Sequence, residues 1–233
     1  MTRSRSRLRG GAEAGLRPAG ALPAGGGRAL VTAGEGGIGR ALRARLEREG
    51  YEVESLDLTT GFDVTSWEAW QRVGTVEVAC LNAGVVTGRL GAESYRRAVA
   101  VNVDGVVLGV LRLQETMREG AIVATASLAG LTGMPSDPVY SLTKHAIVGF
   151  VRSMAPRLAP VRLNAVCPGY TDTTMVDGER SEIAARGVPL LAPEDVAEAM
   201  WRAVTGGASG ECWFVQPGRE PEPFRFPNLP GPR

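Results

Sequence analysis

A chain of 233 residues, 44% of them apolar, is long enough for one large α/β domain with a substantial core. Its formal charge of +1 supplies no global field for nucleic acid or an anionic membrane. No stretch approaches the roughly 18 uninterrupted apolar positions that a membrane helix needs. Cys80, Cys167 and Cys212 are scattered and odd in number, without metal-ligand spacing, which suits a reducing compartment. A cytoplasmic protein with no metal site is expected.

Residues 1–26 carry Arg3, Arg5, Arg7 and Arg9 ahead of Gly, Ala and Pro, with no amphipathic period. They lack the apolar core of a secretory signal and read as a disordered basic tail, with an organelle presequence as the alternative. From Arg28 short apolar runs alternate with helical stretches. The spacing predicts strands at 29–33, 51–58, a very short one at 61–64, then 75–84, 120–127, 161–167 and 211–216. Helices are expected over 39–49, 92–118, 139–158 (bent or ended near Pro156) and 193–204. Strands alternating with helices imply a single doubly wound α/β domain over 27–216, a seven-stranded parallel sheet covered by helices on both faces. Such sheets bind ligands beyond the carboxyl ends of their strands. Residues 217–233 read as a proline-rich tail without regular structure, with Phe224 and Phe226 able to anchor it.

TAGEGGIG at 32–39 lies where a strand turns into a helix, the context in which glycines let backbone N–H groups approach a pyrophosphate. A tight turn without a ligand has the same look. Asp57, 18 residues after Gly39, ends the second strand, where a carboxylate can accept both adenosine ribose hydroxyls and repel a 2′-phosphate. Leu58-Thr59-Thr60 after it brings no arginine, and Glu35 adds negative charge. These features favour NAD over NADP.

Lys144 is the only lysine in a chain that otherwise uses arginine, which suggests chemistry requiring a compact ammonium. It follows Tyr140 at i, i+4 on a predicted helix, so both project from one face. A nearby ammonium stabilises a phenolate and lowers the tyrosine pKa. Ser127 closes the preceding strand, 13 residues before Tyr140.

In order, TAGEGGIG, Asp57, DV at 63–64, NAG at 82–84, VNVDG with Asn102, SLAG from Ser127, YSLTK at 140–144 and PGYTDT at 168–173 resemble the short-chain dehydrogenase/reductase family. The resemblance covers about residues 28–216 and implies a Rossmann fold and a tetrad of Asn102, Ser127, Tyr140 and Lys144. It implies that Tyr140 exchanges a proton with the substrate oxygen and Ser127 holds that oxygen. Lys144 would bind the nicotinamide ribose, and Asn102 would support a water-linked relay. On the cofactor side it implies Gly34, Glu35, Gly37 and Ile38 in the loop, Asp57 and Leu58 at the ribose, and Asp63 and Val64 at the adenine. Asn82, Ala83 and Gly84 would line the floor, with Pro168, Gly169, Thr171 and Thr173 at the nicotinamide end.

There are departures. Ala33 stands where the family's first glycine usually lies, which shifts the expected loop geometry. Leu81 replaces an Asn before NAG, and no helix fits between the second strand and Asp63. The chain's end resembles, loosely, the subset like 15-hydroxyprostaglandin dehydrogenase. His145 reads as packing or surface. The leading expectation is an NAD-dependent dehydrogenase of a secondary alcohol or ketone; an NADPH ketoreductase or a non-catalytic dinucleotide-binding scaffold are the alternatives. Leu128, Leu131, Met134, Val139, Tyr170, Met175 and Val176 suggest a largely apolar, small-molecule substrate. The apolar stretches GVVLGVLRL and HAIVGFV suggest a homodimer or homotetramer.

Overall fold

In the computed structural model residues 26–206 and 208–228 are described, so the expected basic tail lies outside them apart from Gly26. The elements are β1 (Arg28–Thr32), α1 (Gly37–Arg48), β2 (Glu52–Leu56), α2 (Trp67–Gln71), β3 (Val78–Leu81), α3 (Ala92–Val99) and α4 (Gly105–Thr116). They continue with β4 (Ala121–Thr125), α5 (Pro138–Leu158), β5 (Arg162–Pro168), α6 (Arg180–Ala185), α7 (Pro193–Thr205), β6 (Cys212–Val215) and β7 (Glu222–Pro223). The strands form one sheet in the order β2-β1-β3-β4-β5-β6-β7.

Alternation along the central strands builds two apolar layers. Leu30, Ile122 and Leu163 face Trp70, Leu113 and Ile147 from α2, α4 and α5. Their neighbours Val31 and Val123 face Leu42, Leu46 and Met200 from α1 and α7. All these residues are at most 2% exposed, which is why β3, β4 and β5 read as unbroken apolar runs. The order reverses at β1, which pairs with β2 on one side and β3 on the other, leaving a crevice beyond the strands' carboxyl ends.

Several expectations need correction. Only β1 to β6 are parallel; the seventh strand is β7, which pairs antiparallel with β6 and comes from the proline-rich stretch after 216. Phe224 packs edge-on against Phe214 and Phe226, and Arg152 lies 3.8 Å over the Phe226 ring. The short strand expected at 61–64 does not form. Asp57 instead caps a 3₁₀ turn at Leu58–Thr60 that ends on Gly61 at φ +84°, so the chain turns away from the sheet. α2 was not anticipated, although Ser66, whose hydroxyl accepts from Ala69 N, is a helix-capping residue in a suitable place. The helix expected over 92–118 is α3 and α4 joined by a π turn at Ala100–Asp104. Pro156 lies within α5, which runs on to Leu158.

At the β1–α1 turn Ala33 adopts φ +51°, the left-handed conformation that favours glycine. The backbone shape a glycine would provide is therefore kept by an alanine. A Cβ at Gly39 would lie 2.0 Å from the Ala33 carbonyl oxygen, so α1 can approach β1 only because Gly39 has none. Ala33→Gly is expected to stabilise the protein by about 1 kcal/mol, a rise in Tm of roughly 2–4 °C. Gly39→Ala is expected to lower the Tm by more than that. Thermal unfolding of both variants checks this; a lower Tm for Ala33→Gly would contradict the strained turn.

Candidate active site

The site begins where α5 starts. Asp137 caps the helix, its carboxylate accepting from Tyr140 N at 2.9 Å and from Thr87 N at 2.8 Å, and Pro138 occupies the first helical turn. One residue thus ties α5 to the segment after β3. An Asp-Pro pair ahead of a helix is a capping signal that could have singled out Asp137 in the sequence. One turn along α5, the Lys144 ammonium is 3% exposed and donates to the Thr125 carbonyl at the end of β4, at 2.8 Å. It lies 5.5 Å from the centre of the Tyr140 ring.

Ser127 follows β4 in extended conformation, its hydroxyl accepting from Ala129 N at 3.1 Å and approaching the Pro168 carbonyl at 3.4 Å. Burial pushes the Tyr140 phenol up to about 12; a hydrogen bond with Ser127 opposes this, while Asp137, Cys167 and Glu179 add to it electrostatically. The same desolvation brings Lys144 down to about 8. The phenol thus lies above its ordinary value, with burial outweighing the lowering expected from the ammonium. Desolvation dominates at both groups, and the Lys144 proton is directed at a backbone carbonyl.

A single cavity of about 640 Å³ joins this cluster to the start of α1. Of the expected residues, Gly37, Ile38, Asn82, Gly84, Ser127, Tyr140, Lys144, Pro168, Gly169, Thr171 and Thr173 line it, as does Ala33. Gly36 caps α1 with no side-chain hydrogen bond, and the first turn carries no acidic residue, so its N–H groups are available to an anion. A Cβ at Gly37 would meet Thr173 Cγ2 at 2.7 Å, and one at Gly84 would lie 3.3 Å from Lys144 Nζ. Thr32, missed in the sequence, pins the floor: its hydroxyl accepts from Asn82 N at 2.8 Å and Ala83 N at 2.9 Å. The cradle thus offers free N–H groups at α1, of the kind a phosphate needs, and reaches Tyr140 at its other end.

Other expected residues stand outside the cavity lining. Gly34 packs against β2, where a Cβ would lie 2.4 Å from Ser55 Oγ. Asp57 accepts from Thr59 N at 2.9 Å and Glu35 N at 3.2 Å, and these bonds, against partial desolvation, hold its carboxyl below the usual range. Leu58 beside it is 74% exposed. Glu35 is engaged by Ser55 Oγ at 2.7 Å and by Arg43, a cation the sequence reading overlooked because it sits two turns into α1. Asp63 accepts from Thr65 within its own turn, while Val64 is buried, its carbonyl accepting from Trp70 Nε1 at 2.9 Å. Ala83 sits beside the cavity without lining it, packed against the core.

Asn102, wholly buried in the π turn, accepts from Val85 N at 2.7 Å and donates to Val85 O and Thr143 Oγ1. Its Oδ1 lies 3.4 Å from the point where a Gly84 Cβ would stand. His145 Nδ1 is 2.9 Å from the Ser141 carbonyl oxygen, apart from the cavity. Leu128, Met134, Tyr170, Met175 and Val176 line the cavity; Leu131 and Val139 do not.

The family model described as short chain dehydrogenase matches residues 56–184. The chain is 32% identical over 224 residues to the cis-4-hydroxycyclohexanecarboxylate dehydrogenase of Sinomonas cyclohexanicum, covering 78% of this chain and 90% of that one. It is 30% identical over 194 residues to the levodione reductase of Leifsonia aquatica, covering 66% and 73% respectively. A crystal structure of a short-chain type dehydrogenase/reductase from Mycobacterium marinum superposes with a TM-score of 0.75 at 23% identity, over 84% of this chain and 96% of that one. With its doubly wound sheet and its match across more than half its length, the chain belongs to the short-chain dehydrogenase/reductase family, oxidoreductases that act on alcohols and ketones with a nicotinamide dinucleotide.

Proposed function

We propose that the protein interconverts a secondary alcohol and its ketone with NAD(H), using Tyr140 as acid and base. The observation that carries this reading is the placement of Ser127, Tyr140 and the buried Lys144 on the wall of one cavity that also reaches the N-terminus of α1. Bound along that cavity, the nicotinamide cofactor supplies the hydride acceptor or donor. Ser127, on the same cavity wall as Tyr140, orients the substrate oxygen, and Tyr140 takes or gives its proton. Lys144, fixed by the Thr125 carbonyl, has two further N–H bonds for a ribose hydroxyl. Asn102 holds the segment after β3 in place and supports a water-linked relay. Exposed Leu111 on α4 and Leu142 on α5 support a homodimer or homotetramer.

The cofactor preference rests on Asp57, with Glu35 beside it. Two like charges about 4 Å apart interact by roughly 4 kcal/mol at an effective dielectric of 20, and screening lowers that to a preference of about tenfold to a thousandfold. One observation favours NADP as a second reading: Arg40 and Arg43 flank Glu35, Arg40 donating to its carbonyl and Arg43 to its carboxylate. In the NAD reading Glu35 occupies Arg43 and withholds it from a phosphate.

Absorbance at 340 nm, followed with NAD and a panel of cyclic and aromatic secondary alcohols, tests the activity. Tyr140→Phe is expected to abolish turnover with NADH binding intact; retained kcat would overturn the mechanism. Because the phenol sits near 12, alcohol oxidation is expected to rise with pH from 7 to 9 as phenolate becomes accessible, while ketone reduction does not rise. Glu179→Gln removes a negative charge that disfavours the phenolate, so the oxidation profile is expected to move to lower pH. A shift to higher pH would contradict this.

The ratio of kcat/KM for NAD and NADP gives a further check. Asp57→Ala is expected to relax the parent's preference for NAD, and Glu35→Ala to release Arg43 and move it towards NADP. Equal use of both cofactors by the parent would remove the assignment to Asp57.

A further inference from the structure

The cavity extends past Tyr140 to α6, where two charged side chains reach its lining. Glu179 immediately precedes α6 and Arg186 immediately follows it. They are seven residues apart, so they share one side of the helix two turns apart, about 10 Å along its axis. Ile183 between them is 2% exposed and anchors that side to the body of the protein. The wall near them is apolar, formed by Met134, Met175 and Val176.

The two charges are not equivalent. Glu179 is half-buried and acts electrostatically on Tyr140, so it marks the end nearer the reacting atoms. Arg186 lines the same cavity with a side chain 58% exposed, and so marks the outer end. Among the described residues the ionic partner of Arg186 is Glu182, at 4.0 Å, in a pair whose side chains are 58% and 71% exposed. An exposed pair at that distance holds a guanidinium weakly, leaving its planar fork able to take an anion. A carboxylate near Tyr140 repels an anionic group close to the carbinol, while a cation about two helical turns away attracts one there.

We infer that the substrate is an apolar alcohol or ketone carrying a carboxylate at the end remote from its carbinol, recognised by Arg186, with Glu179 setting its orientation. This rests on the dehydrogenase reading and names the substrate class for the same site. A hydroxy acid bound in reverse would put its carboxylate against Glu179 and its carbinol out of reach of Tyr140. The polarity of the pocket therefore selects both the class of substrate and the end that reacts.

Calorimetric titration tests this with 4′-acetylbiphenyl-4-carboxylate and its primary amide, each added to the protein with and without NADH. The acid is expected to bind the parent about tenfold more tightly than the amide. Arg186→Gln should bring that ratio to about one while leaving the amide's Kd within about twofold, and Arg186→Lys should restore part of the preference. Equal affinity of acid and amide for the parent, a preference that survives Arg186→Gln, or no binding of either at millimolar concentration would each overturn the inference. The dehydrogenase reading fails separately. An Arg186-dependent preference with no turnover of either ketone probe by NADH or NADPH, or of simple secondary alcohols by NAD or NADP, would sink that reading and leave the carboxylate site standing.

Discussion

The site depends on one buried hydrogen bond, from the Lys144 ammonium to the Thr125 carbonyl at 2.8 Å. A desolvated cation is costly unless its donors are met, and here the end of β4 meets one of them. The bond fixes α5 against β4 and holds the ammonium over the floor formed by Gly84. The 3₁₀ turn at Leu128–Gly130, which follows Ser127, can press onto α5 because Gly130 has no side chain; a Cβ there would lie 2.6 Å from the Lys144 carbonyl oxygen. Ser127, Tyr140 and Lys144 are thereby brought together by backbone contacts, before any ligand arrives.

Electrostatics divides the cavity into regions. At the α1 end backbone N–H groups and the absence of acidic residues favour phosphate. Beside it Asp57, Glu35 and Arg43 form a hydrogen-bonded cluster. At the middle, burial pushes the Tyr140 phenol up to about 12 and brings the Lys144 ammonium down to about 8.

Much of this was legible in the sequence because it is local. The β1–α1 glycine turn, the i, i+4 pair of Tyr140 and Lys144, and the alternation of strands and helices all follow from spacing along the chain. The missed features depend on neighbours remote in sequence. Thr32 braces Asn82 and Ala83 from 50 and 51 residues away, and Asp137 reaches Thr87 over the same separation. Arg43 matters because β2 brings Ser55 and the loop brings Glu35 to it. A strand was expected at 61–64 from its apolar residues, yet Phe62 and Val64 are buried by the core around Trp70 without joining the sheet. Spacing gives the proximity of Tyr140 and Lys144 but says nothing of the desolvation that raises the phenol.

Replacing the ammonium by an apolar side chain of similar length probes that buried hydrogen bond most directly. Lys144→Met removes the cation and its burial cost together. That cost is present in full below about pH 8 and falls away as the pH rises towards the ordinary lysine value of 10.5. At pH 7 the variant is expected to fold with a Tm no lower than the parent's. By calorimetric titration it should bind NADH at least about tenfold more weakly, since charge-assisted hydrogen bonds of about 1.5–3 kcal/mol are lost. It should also show no turnover. Parental NADH affinity together with parental kcat in Lys144→Met would contradict the role given to the buried ammonium.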